Sequence, residues 1–307
     1  MMEIILTRWQ FEVLSYISQN SPVIFEKRHV ADSIYMSGSA VMDVYKELLS
    51  MRLIEEDNNG INTIVSITEL GLKSLEPYRV HRAVILAAGF GSRMMPATAT
   101  CPKPMVMVKG TRIIETLLDA LLAAGIDDIT VIRGYLKDRF NDLLVKYPFI
   151  KFIDNNDYDT ANNISSAVLA KNAFFGGSYL CEADLYISNP AVIRKYQYTS
   201  NILGSYSLQT DDWSFKMDDY GHIRNYRKGN VFCWNYYGIS YWTKEDCEKL
   251  NHDWSEAFKI DKNIFWEQVP LQLKKENYNV EIRPCRKQDI IEIDSYDELA
   301  MLDPSYR

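Results

Sequence analysis

Two glycines, Gly89 and Gly91, follow an apolar run from Ala83 to Ala87, and Ser92 and Arg93 come directly after them. A short excursion later stands Lys103, fixed between Pro102 and Pro104. Glycine takes positive φ readily and lets a backbone approach a ligand closely. Successive peptide N–H groups in such a loop point at an anion. Arg93 adds a delocalised cation and Lys103 a point charge. Together these residue types describe a triphosphate site. Two better-known glycine loops do not fit: a dinucleotide fingerprint needs a small residue where Met94 stands, and a Walker loop needs Gly-Lys-Ser/Thr.

The string Leu86-Ala87-Ala88-Gly89-x-Gly91-x-Arg93, followed by Pro102-Lys103, resembles the signature of the nucleotidyltransferases that make activated sugars and alcohols. Moving a nucleotidyl group brings a nucleophile to a phosphate already crowded with negative charge. A divalent ion, Mg2+, offsets that charge, and the chain must supply carboxylates to hold it. Two apolar runs end in an acid-x-acid pair: Tyr179 to Asp184, with Glu182 and Asp184, and Ile290 to Ser295, with Glu292 and Asp294. Side chains two apart on a strand share a face.

The order of glycine loop, Pro-Lys, Asn-Asn, acid-Ala-Asp and Glu-Ile-Asp-Ser resembles the bacterial CTP:phosphocholine cytidylyltransferases over essentially all of residues 81 to 307. The resemblance implies Mg2+ at Asp184 and Asp294, with Glu292 the substitute for the latter. It also implies nucleotide binding by Leu86, Ala87, Ala88, Gly89, Gly91, Ser92, Arg93 and Lys103, with cytidine contacts at Asn162 and Asn163. Family members tend to carry aromatic residues after that Asn-Asn pair, whereas here Ile164-Ser165-Ser166 follows.

A choline head is a permanent cation without N–H donors, and proteins hold it with aromatic faces and a nearby carboxylate. By the resemblance those groups are Trp213 and the Trp266-Glu267 pair, with Tyr237 as a third wall. The nucleophile is then an ionised phosphate oxygen that needs no general base. Lys103 and Arg93 are left as the catalytic cations. The same glycine loop serves sugar-1-phosphate nucleotidyltransferases and 2-aminoethylphosphonate cytidylyltransferases. A primary ammonium favours more carboxylates and fewer aromatic walls, and Asp211, Asp212 and Glu267 keep that alternative open. A nucleotide-sensing transcriptional regulator is the alternative of a different class. Such a sensor has no need to keep Lys103 and both metal carboxylates.

These residues need a scaffold. Ile113 to Ala124 is amphipathic and ends at Gly125, Ile129 to Arg133 is rich in β-formers, Leu136 to Tyr147 returns to helical spacing, and Ile150 to Ile153 is a further short strand. Alternating strands and helices predict an α/β fold with a doubly wound, mostly parallel sheet, Rossmann-like as in nucleotidyltransferases. Ligands in such sheets sit beyond the carboxyl ends of strands, where the glycine loop falls.

Residues 1 to 80 follow a different pattern from residues 81 to 307. Thr7 opens one helix, Lys27 to Ile34 forms a second and Ser37 caps a third. Leu53 to Glu56 and Ile61 to Ile67 are extended, joined through Asp57-Asn58-Asn59-Gly60 as a hairpin, and Thr68 starts a closing helix. Three helices and a hairpin wing resemble a winged-helix domain of the multiple-antibiotic-resistance-regulator type. Seven Lys/Arg against eleven Asp/Glu give this segment a net charge of −4. That sign disfavours DNA binding, which depends on phosphate contacts, and favours a structural or homodimerising module.

The whole chain of 307 residues carries a formal charge of −7, which argues against a protein that coats nucleic acid. No stretch suits a membrane span and the first residues do not read as a signal peptide, so a cytoplasmic location is expected, with no membrane partner. Five cysteines without Cys-x-x-Cys spacing read as reduced thiols.

Overall fold

The computed structural model describes residues 4–34, 36–58 and 62–307. It divides into two compact units, one of residues 1–79 with 196–198, the other of residues 80–195 with 199–307.

In the first unit, helix α1 (Arg8–Asn20) begins at Thr7, whose side chain accepts from the Gln10 amide while Gln10 reaches back to the Thr7 N–H. This reciprocal cap satisfies two N–H groups that the helix start leaves open. Strand β1 (Val23–Ile24), α2 (Lys27–Ile34) and α3 (Gly38–Ser50) follow, the last capped by Ser37. Strands β2 (Ile54–Asn58) and β3 (Thr63–Ile67) pair antiparallel, and β1 adds to the far side of β3. The turn expected between β2 and β3 falls partly on residues 59–61, outside the described residues. Helix α4 (Glu69–Leu75) is capped by Thr68. Phe11, Leu14, Ile17, Val41 and Leu48 bury their side chains together, and Tyr196 joins them from far along the chain.

In the second unit, β4 (Arg82–Ala87) leads into the glycine loop. A two-residue ladder, β5 (Met107–Val108) with β6 (Thr111–Arg112), precedes α5 (Ile113–Ala123). Then come β7 (Asp128–Arg133), β8 (Lys151–Asp154), α6 (Ile164–Leu169), β9 (Ser178–Glu182) and β10 (Leu185–Ile187). Two long strands, β11 (Asn201–Met217) and β12 (Ile223–Trp242), form an irregular antiparallel ribbon. Helix α7 (Lys244–Ile260), β13 (Glu281–Pro284), β14 (Ile290–Glu292) and α8 (Tyr296–Leu302) complete the unit. The seven-stranded sheet runs β13-β11-β12-β9-β4-β7-β8. Strands β9, β4, β7 and β8 are parallel, so their carboxyl ends share one edge. Apolar clusters line both sheet faces, Ile85 and Leu117 on one, Val84 and Trp242 on the other.

The segment expected to be helical after Leu136 is a 3-10 helix over Lys137–Val145. Leu136 has φ +48°, and the Arg133 guanidinium takes the Lys137 carbonyl at 3.2 Å, so the first turn closes with three-residue bonds. Among the described residues no helix is long and apolar enough to cross a membrane. None of the five cysteines forms a disulfide.

Candidate functional site

A cleft of about 580 Å³ opens beyond the carboxyl ends of β4 and β9. Leu86, Ala87, Ala88, Gly89, Gly91, Ser92, Arg93 and Lys103 all line it, with Asn162, Asn163, Asp184 and Asp294. Gly91 has φ +62°, and a Cβ there would stand 2.7 Å from the Lys103 Cβ. The loop therefore closes onto Lys103 only because residue 91 has no side chain. Gly89 keeps ordinary φ, and a Cβ on it would meet nothing within 4 Å. What its missing side chain leaves is open cleft, where a ligand's phosphates can approach the backbone.

Lys103 is the hinge of the site. Its Nζ lies 2.9 Å from Asp184 Oδ2 and 2.8 Å from Asp294 Oδ1, while Arg93 Nη2 lies 3.0 Å from Asp294 Oδ2. Burial works to lower the lysine pKa, but the two carboxylates outweigh it and hold the pKa above the usual range. For Asp294, burial works upward, and Lys103 and Arg93 override it and hold the carboxyl below its ordinary range. The two aspartates are 110 residues apart in sequence. Pairing of β10 with β14, Leu185 opposite Glu292, brings them together.

Asp184, Glu292 and Asp294 offer oxygens within 4.8 Å of one another, and Asp184 Oδ1 is buried without a hydrogen-bond partner. An all-oxygen, carboxylate-rich set with one orphaned oxygen suits a hard divalent cation. Burial, then the charges of Asp184 and Asp294, push Glu292 up to about 8.

Asp212, Trp213, Tyr236, Phe265 and Glu267 also line the cleft. Trp213 stacks on Tyr226 with centroids 4.8 Å apart and meets Phe265 edge-on at 5.9 Å. Trp266 is fully enclosed, edge-on to Trp242 and Trp254, and does not line the cleft. Its expected place against a ligand is corrected: the chain turns there so that Phe265 and Glu267 face the cleft and the indole between them faces the core. Tyr237 is likewise corrected. Alternation along β12 buries it on the opposite sheet face, with its hydroxyl 3.2 Å from Ser205 Oγ, and gives the cleft to Tyr236.

Both asparagines line the cleft, yet their amides are already in use. Asn162 Nδ2 donates to the Asn263 carbonyl at 2.9 Å, and Asn163 Oδ1 accepts from the Trp266 amide at 2.9 Å. They tether the loop that carries Phe265 and Glu267. The sequence offers Glu182 only as one acid of a metal-holding pair and singles out neither Tyr236 nor Phe265 for the acceptor. The signal available for the first two was the strand period, with Tyr236 and Gly238 on one face of β12 beside the end of β9.

A parallel sheet with a cationic glycine loop and paired acids at its carboxyl edge defines a nucleotidyl-transfer fold. The family description for nucleotidyl transferases matches residues 82–199. The chain is 38% identical over 228 residues to the 2-aminoethylphosphonate cytidylyltransferase of Lancefieldella rimae, covering 73% of this chain and 92% of that protein. It is 29% identical over 220 residues to the choline-phosphate cytidylyltransferase of Haemophilus influenzae, covering 70% and 93%. The solved structure of the CTP:phosphocholine cytidylyltransferase from Streptococcus pneumoniae superposes with a TM-score of 0.67 at 27% identity, covering 75% of this chain and 100% of that one. The chain belongs to the nucleotidyl transferase family, in its cytidylyltransferase branch.

Proposed function

We propose that this cytidylyltransferase moves CMP from CTP to a small amine-bearing phosphonate or phosphate ester, with 2-aminoethylphosphonate ahead of phosphocholine. The observation that carries the choice is the acceptor end of the cleft. Trp213, Tyr236 and Phe265 are its aromatic walls, and Asp212 and Glu267 add carboxylates beside them. A quaternary ammonium is held by aromatic faces. A primary ammonium has three N–H donors to satisfy, and carboxylates satisfy them.

In this reading the amides of residues 89 to 93 and the Arg93 guanidinium hold the β- and γ-phosphates, and Lys103 faces the α-phosphate. An ionised oxygen of the acceptor forms the new bond to the α-phosphorus. The bond from that phosphorus to the bridging oxygen breaks, and pyrophosphate leaves with its electron pair. No proton moves, so no general base is required. Catalysis is positioning and charge stabilisation. Asp184 and Asp294, with Glu292 beside them, would hold Mg2+, which supplies charge neutralisation on the phosphates when bound.

We read the first unit as a winged-helix module that is structural or homodimerising. Four helices and a β-hairpin support the winged-helix reading, and the net negative charge favours this role over DNA binding.

The test is pyrophosphate release from each nucleoside triphosphate, with Mg2+ or with excess chelator, against 2-aminoethylphosphonate, phosphoethanolamine, phosphocholine and sugar 1-phosphates. CTP with 2-aminoethylphosphonate should give the highest kcat/KM, and chelator should abolish it. A higher kcat/KM with phosphocholine would return the acceptor to choline, and full activity in chelator would remove the metal.

A further inference from the structure

The cations at the phosphate end, Arg93 and Lys103, are both taken by Asp184 and Asp294. Of the cleft carboxylates with no ion pair among the described residues, Glu182 and Glu267 lie beside the aromatic walls. Glu267 is only 3% exposed; the Tyr226 hydroxyl donates to its Oε1 at 3.1 Å, and its Oε2 has no hydrogen-bond partner. Glu182, at the end of β9, receives a long contact of 3.4 Å from the Tyr236 hydroxyl on its Oε1. Glu267 is buried and Glu182 partly so, and neither has an ion pair among the described residues, so a cation that arrives from outside has two acids to meet.

Gly238 explains how Glu182 comes to be there. A Cβ at residue 238 would lie 2.6 Å from both the Cβ and the Cδ of Glu182. Its φ is not in the left-handed region, so space alone requires the glycine. The clash reaches the Glu182 Cβ, the base of the side chain, so a rotation of the carboxylate tip does not relieve it. Any larger residue at 238 moves Glu182 as a whole.

We infer that Glu182, admitted to the cleft by Gly238 and set beside Glu267, is a specificity-determining carboxylate that reads the N–H donors of a primary ammonium on the acceptor. The inference rests on the nucleotidyl-transfer reading of the cleft and names the group that selects its acceptor. The tyrosine hydroxyls each donate to one oxygen of one acid, and Glu267 Oε2 keeps no hydrogen-bond partner, so both acids retain room to accept. A primary ammonium fills both with N–H donors. A trimethylammonium offers none and adds three methyl groups to the same space.

The experiment measures KM and kcat for 2-aminoethylphosphonate, its N-methyl, N,N-dimethyl and N,N,N-trimethyl derivatives, and 2-hydroxyethylphosphonate, in the full-length wild type, Glu182→Gln and Gly238→Ala. In the wild type KM should rise at each methyl, tenfold or more over the series. Glu182→Gln should raise KM for the primary amine at least tenfold, flatten the series and leave KM for CTP unchanged. Gly238→Ala should shift the same preference, and if it fails to fold, Glu182→Gln alone decides. A purely structural role for Glu182 would lower Tm with the methyl series unchanged, and that result overturns the inference. So does a wild type that prefers the trimethyl compound. Absence of pyrophosphate release from CTP with every acceptor would instead sink the nucleotidyl-transfer reading itself.

Discussion

Lys103 concentrates the physics of the site in one side chain. Sequence alone predicts a lysine between two prolines with little packing to lose, whose replacement leaves the fold untouched. The structure changes half of that expectation. Lys103 is buried and bonded to two carboxylates, so Lys103→Ala leaves Asp184 without its cation and Asp294 with Arg93 alone. The variant should lose roughly 10²–10³ in kcat, the usual size of a lost charge stabiliser. It should also lose about 1–3 kcal/mol of stability, because the aspartates are only partly screened by water. Mg2+ should restore much of that stability and little of the rate. Steady-state turnover beside thermal unfolding, each with Mg2+ and with chelator, separates the two effects. Wild-type kcat would remove Lys103 from the chemistry.

At the scale of elements, what the sequence made legible follows from local rules. Thr7, Ser37 and Thr68 each cap the helix expected of them, because a cap is written in three or four adjacent residues. The glycine loop is equally local, as is its place at the end of an apolar strand. Facing is less legible. The resemblance points to Tyr237, but neighbours on a strand point to opposite sides, and the identity of the cleft face depends on the partner strand β9. In Phe265-Trp266-Glu267 no period tells which ring faces the core, since the loop is set by side-chain hydrogen bonds with Asn162, which donates, and Asn163, which accepts, about a hundred residues earlier. The contrast is measurable. Trp266→Ala should cost about 3–5 kcal/mol of stability as a core cavity. It should affect both substrates through the disordered loop. Trp213→Ala should leave Tm within a few degrees and raise KM for the acceptor several-fold more than for CTP. Reversed behaviour of the two tryptophans would put Trp266 back in the cleft.

At the scale of the whole molecule, the units divide one residue before the sequence cut at residue 80, with one exception far along the chain. Residues 196–198 belong with the first unit, where Tyr198 stacks on Tyr78 at 5.3 Å and approaches Phe11 at the same distance. Tyr196 is buried there as well, 2% exposed. Every residue that lines the cleft lies after residue 85, so a chain of residues 80–307 keeps all the groups that the chemistry needs. It also bares Tyr196 and Tyr198, which lose the apolar partners of the first unit. Burial of each ring is worth roughly 2 kcal/mol, and two bare rings two residues apart make a sticky patch. The truncated chain should therefore bind CTP with an unchanged KM yet aggregate on sizing, and replacing both tyrosines with serine should restore a soluble, active species. The same comparison tests the first unit. Its net charge of −4 leaves few cations to displace counterions from a duplex, so full-length protein should show no tight binding to mixed-sequence DNA at physiological salt. If full-length protein is dimeric and the soluble truncation monomeric, the first unit is the homodimerising module. Tight, sequence-specific DNA binding by the full chain, modulated by CTP or by the acceptor, would overturn that assignment and make the chain a bifunctional regulator.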